Sequence, residues 1–332
     1  MSKSSRSSGP GASRGDGEHG PILIAGGTGF IGSAVARRLE GRRRIAVMTR
    51  DRERARSRPG GGAAEFRVGD VTRPETLAAA LEGIDTVVQC VQFPGFPVEA
   101  PSLGRTFMDV DARGTETMVI ASRQAGVRKF VYLSGVGADA SSDRPWFRAK
   151  GLAEAAVAGS SLSYAIVRPS WTYGPGDSSL NKFVKIIRRV PFVFPQLGSG
   201  TQRINPVFVD DVARLVADVV EGDAAERATI EIGGRDVMTI DEIIRSTMSV
   251  LGHVKPIAHV PSGLAAGAAA CLELLPGQLL SRGAIDFITQ SAIANLVDLD
   301  ERFPRFELAG FEAAIGSYMR RSEAPRRASS SP

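Results

Sequence analysis

Residues 21–32 read Pro-Ile-Leu-Ile-Ala-Gly-Gly-Thr-Gly-Phe-Ile-Gly. The first five residues are a short apolar run stopped by glycines. That length and boundary predict a buried strand. After Gly32 the apolar residues change period. Ile31, Ala34, Val35 and Leu39 fall on one face of a helix. A strand, a glycine turn and a helix in this order open a βαβ unit, and the rest of the chain repeats the rhythm. Strands are predicted at Ile45–Met48, Phe66–Val68, Thr86–Val91, Lys129–Ser134 and Tyr164–Val167. Helices are predicted at Pro74–Leu81, at Thr106–Ala125 as one long element, and from Pro145 through the alanine-rich stretch that follows. Strands alternating with helices imply right-handed crossovers. The fold class is therefore α/β, a doubly wound parallel Rossmann sheet covered on both faces.

After Pro169 the rhythm changes. Gly, Pro and Asp punctuate the chain, and Val207–Val209 reads as a further strand. Asp210 or Asp211 is expected to cap a helix that buries Val212, Leu215, Val216 and Val219. Thr239 or Asp241 is expected to cap another, running to about Val250. These elements form a smaller C-terminal substrate lobe against the carboxyl edge of the sheet, where doubly wound folds place their ligands. The expected organisation is a disordered tail at 1–20, a Rossmann core at 21–170, the lobe at 171–321, interleaved with the core, and a second tail at 322–332.

The chain has 332 residues and a formal net charge of +5. Arginine far outnumbers lysine, and no basic helix with interleaved aromatics appears, so nucleic acid is not an expected partner. The two cysteines, Cys90 and Cys271, are far apart, and the three histidines do not cluster. Neither a disulfide framework nor a metal site is expected. Residues 1–20 lack the apolar run of a secretory signal. No run of about 18 apolar residues exists to span a bilayer. The apolar stretch Leu264–Leu275 is short and carries Glu273, which suits a core helix better than a surface anchor. A cytoplasmic protein acting on a small molecule is expected; peripheral membrane or complex association stays open, as does the oligomeric state.

Gly26, Gly29 and Gly32 give the glycine loop its chemistry. The first permits a tight turn, the second lets a pyrophosphate approach the backbone, and the third lets helix and strand pack closely. Thr28, Phe30 and Ile31 complete a cradle at the helix amino terminus. The next strand ends Met48-Thr49-Arg50. An acid there would pair with a ribose 2′-hydroxyl, whereas Arg50 suits a 2′-phosphate. NADP(H) is the expected cofactor. Asp51 keeps NAD(H) open as the less favoured choice.

The stretches GGTGFIG, MTRD (48–51), GDVT (69–72), KFVYLSGVG (129–137), VRPSWTYGPGD (167–177) and PVFVDDVA (206–213) together resemble the short-chain dehydrogenase/reductase superfamily. The likeness is to its extended and atypical branches, with NmrA-like proteins, isoflavone-reductase-like enzymes and an accessory-subunit type of respiratory complex I. The resemblance implies that Asp70 and Val71 flank an adenine. It also implies that Val91 lies along the ribose and Pro169, Ser170 and Trp171 lie near a nicotinamide. In that superfamily a Tyr-x-x-x-Lys pair works with a serine and often an asparagine. Here Lys150 is kept, but Trp146 stands at the tyrosine position, Gly135 at that of the serine with Ser134 adjacent, and Asp111 at that of the asparagine. Indole N–H is only a donor and shuttles no proton at neutral pH. Trp146 is then a substrate wall, with Phe147, Trp171 and Tyr173, or ordinary packing. Lys150 holds ribose hydroxyls and, with a burial-shifted pKa, is the expected catalytic acid/base.

Three functions follow as expectations. The first is an NADP(H)-dependent oxidoreductase acting on a small apolar or aromatic carbonyl or alkene. The second is a non-catalytic NAD(P)H-binding redox sensor, complex subunit or assembly factor. The third is a sugar-nucleotide epimerase or dehydratase, weakened by the missing tyrosine.

Overall fold

The computed structural model describes residues 20–56, 65–94, 99–261 and 292–319. The expected tails, apart from Gly20, and the stretch Leu264–Leu275 lie outside these residues.

Strand β1 (Ile22–Ala25) is buried along its whole length. It continues through the glycine loop into helix α1 (Phe30–Leu39). Strands β2 (Ile45–Thr49) and β3 (Glu65–Val68) follow, separated by the short helix α2 (Arg52–Arg56). Helix α3 (Leu77–Leu81) leads to β4 (Thr86–Gln89), and helix α4 (Gly114–Gln124) to β5 (Lys129–Leu133). Helix α5 (Pro145–Ala158) and β6 (Ser163–Pro169) complete the regular alternation.

The chain then makes the short strand β7 (Thr172–Tyr173), α6 (Leu180–Arg189), β8 (Phe194–Leu197), β9 (Arg203–Ile204) and β10 (Val207–Phe208). Helix α7 (Val209–Glu221) returns to the sheet, and β11 (Ala228–Ile232) joins its edge. The lobe adds β12 (Met238–Thr239), α8 (Ile240–Val250), β13 (Ile257–Val260) and helices at Val297–Arg302 and Phe311–Met319.

The main sheet has seven strands in the order β11-β6-β5-β4-β1-β2-β3. Every pair in it is parallel. Both faces are covered, which is why β1 reads as an unbroken apolar run and β4 is buried along its whole length. One face packs Val35 and Leu39 of α1 against Val212, Val216 and Val219 of α7. The other packs Leu77, Leu81 and Met118 against Phe130, Ala149, Ala153 and Val157. The lobe has its own core of Leu180, Phe194, Ile243, Ile244, Phe311 and Ile315. The strand order reverses between β1 and β4, so a crevice opens there at the carboxyl ends of the strands. No helix among the described residues is long and apolar enough to cross a membrane.

Three local expectations are corrected. The helix expected over 106–125 is interrupted: Met108–Arg113 is a π-type turn, and regular α-helix starts only at Gly114. A π-turn adds a residue to the turn and re-aims its side chains. Neither Asp210 nor Asp211 caps α7; Phe208 holds the cap position and both acids lie in the first turn. Asp211 is buried and instead accepts hydrogen bonds from the Ala309 N–H at 2.9 Å and Arg214 at 3.0 Å. Thr239, of the two alternatives, caps α8 in a full capping box with Glu242.

Candidate functional site

The glycine loop closes against the end of β4. Gly26 has φ +79°, and a Cβ there would stand 2.7 Å from the Cys90 carbonyl oxygen and 2.9 Å from the Val91 nitrogen. Gly32 is needed for a different reason: its Cβ would meet the Gly26 oxygen at 2.4 Å, jamming α1 against the loop. Gly29 is not confined in this way. Its Cβ would meet only the Gly26 oxygen, at 3.1 Å, so a side chain there projects into the open space at the helix end.

Gly29 is also the N-cap of α1, with no side-chain hydrogen bond, and the first turn carries no acid. The N–H groups of Phe30, Ile31 and Gly32 have no intrahelical partner by helix geometry. They form the positive end of the helix dipole.

The parallel register brings the other expected residues to this same edge. Arg50 follows β2 and is exposed. Asp51 beside it is committed to capping: its carboxylate accepts the Arg54 N–H at 3.0 Å. Asp70, after β3, accepts from the Thr72 N–H at 2.9 Å and its hydroxyl at 2.7 Å. Val71 is buried beneath α4, close enough that a Cβ on Gly114 would meet it at 2.7 Å. Val91 is half-buried past the end of β4. Ser134 follows β5, buried, with no hydrogen-bond partner for its hydroxyl among the described residues. Pro169 ends β6, and its carbonyl accepts the Val136 N–H at 3.2 Å. Ser170 is already engaged, donating to the Ala292 carbonyl at 3.2 Å.

Lys150 comes from α5 and is 2% exposed. Its Nζ lies 3.0 Å from Asp111 Oδ1, and the other Asp111 oxygen accepts the Phe93 N–H at 2.9 Å. The π-turn carries Asp111 to this position. The Lys150 ammonium also sits 5.4 Å from the centroid of the Tyr132 ring. Burial by itself pulls the lysine's pKa down, but Tyr132 and Asp111 outweigh it and hold the pKa above its ordinary value. The lysine is therefore fixed in its charged form and is not poised near neutrality. Burial likewise keeps the Tyr132 phenol neutral, with its pKa pushed up to about 12. Cys90 is pushed up to about 12 by the same cause, in spite of Lys150 nearby.

Trp146 stands one turn before Lys150 on α5. A Cβ on Gly135 would lie 2.4 Å from Cη2 of its indole and 3.0 Å from Cζ2. The indole fills the volume that a side chain at 135 would need. Phe147 does the same to Gly137, whose Cβ would meet its ring at 2.8 Å. The two aromatic rings pack edge to face at 4.8 Å. The glycines at 135 and 137 and the aromatics at 146 and 147 are thus one packing unit.

The sequence family described as NAD(P)H-binding matches residues 26–223. The chain belongs to this family. It is 32% identical over 126 residues to the NADH dehydrogenase [ubiquinone] 1 alpha subcomplex subunit 9, mitochondrial, of Arabidopsis thaliana; the match covers 38% of this chain and only 31% of that protein. It is 27% identical to the NAD(P)H azoreductase of Xenophilus azovorans, over 72% of this chain and 76% of that one. Among solved structures, the UDP-glucose 4-epimerase of Thermotoga maritima superposes with a TM-score of 0.69 at 20% identity, covering 91% of this chain and 99% of that one. That likeness concerns the fold alone.

The residues of this NAD(P)H-binding protein suit a dinucleotide. The uncapped helix end offers N–H donors to a pyrophosphate, Gly29 leaves the approach clear, and the Ser134 hydroxyl near the strand ends has no partner among the described residues. Of the expected substrate walls, Trp146 and Trp171 are half-buried. Trp171 packs at 6.2 Å from Phe183 of α6. Tyr173 is not brought to the site. It is fully buried in the lobe core, 4.9 Å from Phe311 and 5.7 Å from Phe208 between ring centroids.

Tyr132 escaped the sequence reading. The signal for Tyr132 was present: the two-residue period of β5 puts Phe130, Tyr132 and Ser134 on one face.

Proposed function

We infer that this NAD(P)H-binding protein is a reductase that prefers NADPH and acts on a small apolar or aromatic carbonyl or alkene. The observation that carries the reading is the pairing of an intact dinucleotide cradle with a lysine held charged by Asp111 at 3.0 Å. When bound, the reduced nicotinamide supplies a hydride. Lys150 clamps the ribose and presents a fixed positive charge to the oxygen that gains electron density. With its pKa held high, it stays charged at neutral pH as an electrostatic partner, and the proton that completes the reduction comes from water. Trp146 and Phe147 give the pocket an apolar aromatic wall.

The same indole favours a second reading. By filling the space over Gly135, it occupies the region where the superfamily carries hydroxyl acids. A non-catalytic NAD(P)H-binding subunit or sensor fits that feature, and one relative is named as a complex subunit.

Restoring the hydroxyls separates the two. Gly135→Ser alone meets the indole and should disturb the site. Trp146→Tyr with Gly135→Ser places a phenol one turn from a charged lysine. NADPH oxidation by the double variant on simple aromatic ketones should exceed that of the unmodified protein by about 10²-fold, the lower range for a general acid. No gain, with cofactor still bound, favours the subunit or sensor.

The preference for NADPH rests on Arg50, exposed at the end of β2, with Asp51 taken up in capping. Arg50→Ala should weaken NADPH by about 1.5–3 kcal/mol and leave NADH nearly unchanged. Titration of both cofactors measures this, and equal affinities in the unmodified protein contradict it.

A further inference from the structure

Helix α6 has no part in the dinucleotide site, and its sequence is Leu-Asn-Lys-Phe-Val-Lys-Ile-Ile-Arg-Arg. Leu180, Val184 and Ile187 are buried in the lobe core. At about 100° per residue, Lys182, Lys185 and Arg189 fall within one arc of about 60° on the opposite side. All three are exposed, and the helix contains no acid.

The chain then does something unusual for a soluble surface. After the cap residue Val190 come Pro191, Phe192 and Val193, with Phe192 83% exposed. A second apolar residue comes from the segment that leads into β13. The β13–β8 ladder aligns Ile257 with Phe194, and the Phe194 N–H donates to the Pro256 carbonyl at 2.9 Å. Residues 254–256 therefore run beside 191–193. Lys255 donates to the carbonyls of Ile187 and Val190, closing the carboxyl end of α6. This fixes Val254, which is 99% exposed, next to that helix end.

Cations on one arc of a helix and apolar side chains standing clear at its end form one continuous surface. We propose that α6 and the Phe192–Val254 tip dock this protein on an anionic phospholipid bilayer, the cations meeting headgroups and the apolar tip entering the acyl boundary. Charge complementarity selects the occupant. The two valines and the single phenylalanine argue for acyl chains over nucleic acid, because valine offers no ring on which a base could stack.

The test uses the full chain and sedimentation with vesicles of phosphatidylcholine mixed with phosphatidylglycerol, or of phosphatidylcholine alone. Binding should be confined to the mixed vesicles and be released by salt. Substituting Lys182, Lys185 and Arg189 together by Gln should lower partitioning about 100-fold, at roughly fivefold per charge. Phe192→Ser with Val254→Ser should lower it about 10-fold. NADPH affinity, measured on the same preparations, should be unchanged and shows that the variants are folded. Three results would overturn the proposal: equal binding to neutral vesicles, binding to mixed vesicles that neither variant reduces, which would assign it to the basic tails, and binding to duplex DNA as tight as to vesicles and lost in the same variants.

Discussion

Gly29→Val should abolish NADPH binding and leave the protein folded. The expected loss is more than 100-fold in affinity. A Cβ at position 29 meets only the Gly26 oxygen, at 3.1 Å. That contact needs a shift of a few tenths of an ångström, so the loop survives. The isopropyl group then stands over the N–H groups of Phe30, Ile31 and Gly32, where the pyrophosphate must come. Gly32→Val is the contrasting control. Its Cβ would meet the Gly26 oxygen at 2.4 Å and the Gly26 carbonyl carbon at 2.9 Å, so it should lower thermal stability as well as binding. Cofactor titration with circular dichroism on both variants distinguishes them. A Gly29→Val protein that binds NADPH normally would mean the loop is an ordinary turn.

The second large effect concerns the Asp111–Lys150 pair, 3% and 0% exposed at the side chains of Lys150 and Asp111. Asp111→Leu leaves a buried ammonium without its counter-charge. Removing one partner of a buried pair costs about 3–5 kcal/mol. Asp111→Asn should cost less, since the amide oxygen still accepts a hydrogen bond.

The pH dependence gives a second readout. In the unmodified protein the folded-state pKa of Lys150 is raised. Its contribution to stability is fully present below the ordinary lysine value of about 10.4 and is lost only as pH rises toward the raised value. Tyr132, raised to about 12, acts in the same direction. Stability should therefore not vary across neutral pH on account of this pair and should fall at alkaline pH. In Asp111→Leu burial still pulls the lysine's pKa down while only Tyr132 still raises it, so the loss of stability at alkaline pH should be smaller. Urea unfolding at several pH values measures both slopes. An Asp111→Leu protein as stable as Asp111→Asn contradicts the account.

Much of this was legible in the sequence because it depends on local pattern. Five apolar residues before a glycine loop specify a buried strand and its turn. The alternation that follows specifies a parallel sheet, and a parallel sheet gathers every strand's carboxyl end on one edge. Gly26 and Arg50 follow from that pattern alone, whereas Val91, Ser134 and Pro169 are expected at the site through the superfamily resemblance. What the sequence hid depends on contacts between distant residues. Asp111 meets Lys150 from the stretch 108–113, which winds as a π-turn, and Tyr132 and Asp111 together reverse the expected direction of the lysine's shift. Trp146 covers Gly135 through a loop whose course no periodicity reveals. Tyr173 is expected, with Trp171, as an apolar pocket wall. Both side chains instead face the lobe core, and only Trp171 remains half-exposed.

The central claim is that a charged Lys150 both holds the cofactor and supports reduction. The most direct measurement is NADPH oxidation against a panel of quinones, enones and aromatic ketones, by the unmodified protein and by Lys150→Met, with NADPH affinity titrated for each. The account predicts turnover of at least one acceptor by the unmodified protein, with weaker NADPH binding and no turnover in Lys150→Met. Turnover that survives in Lys150→Met contradicts it.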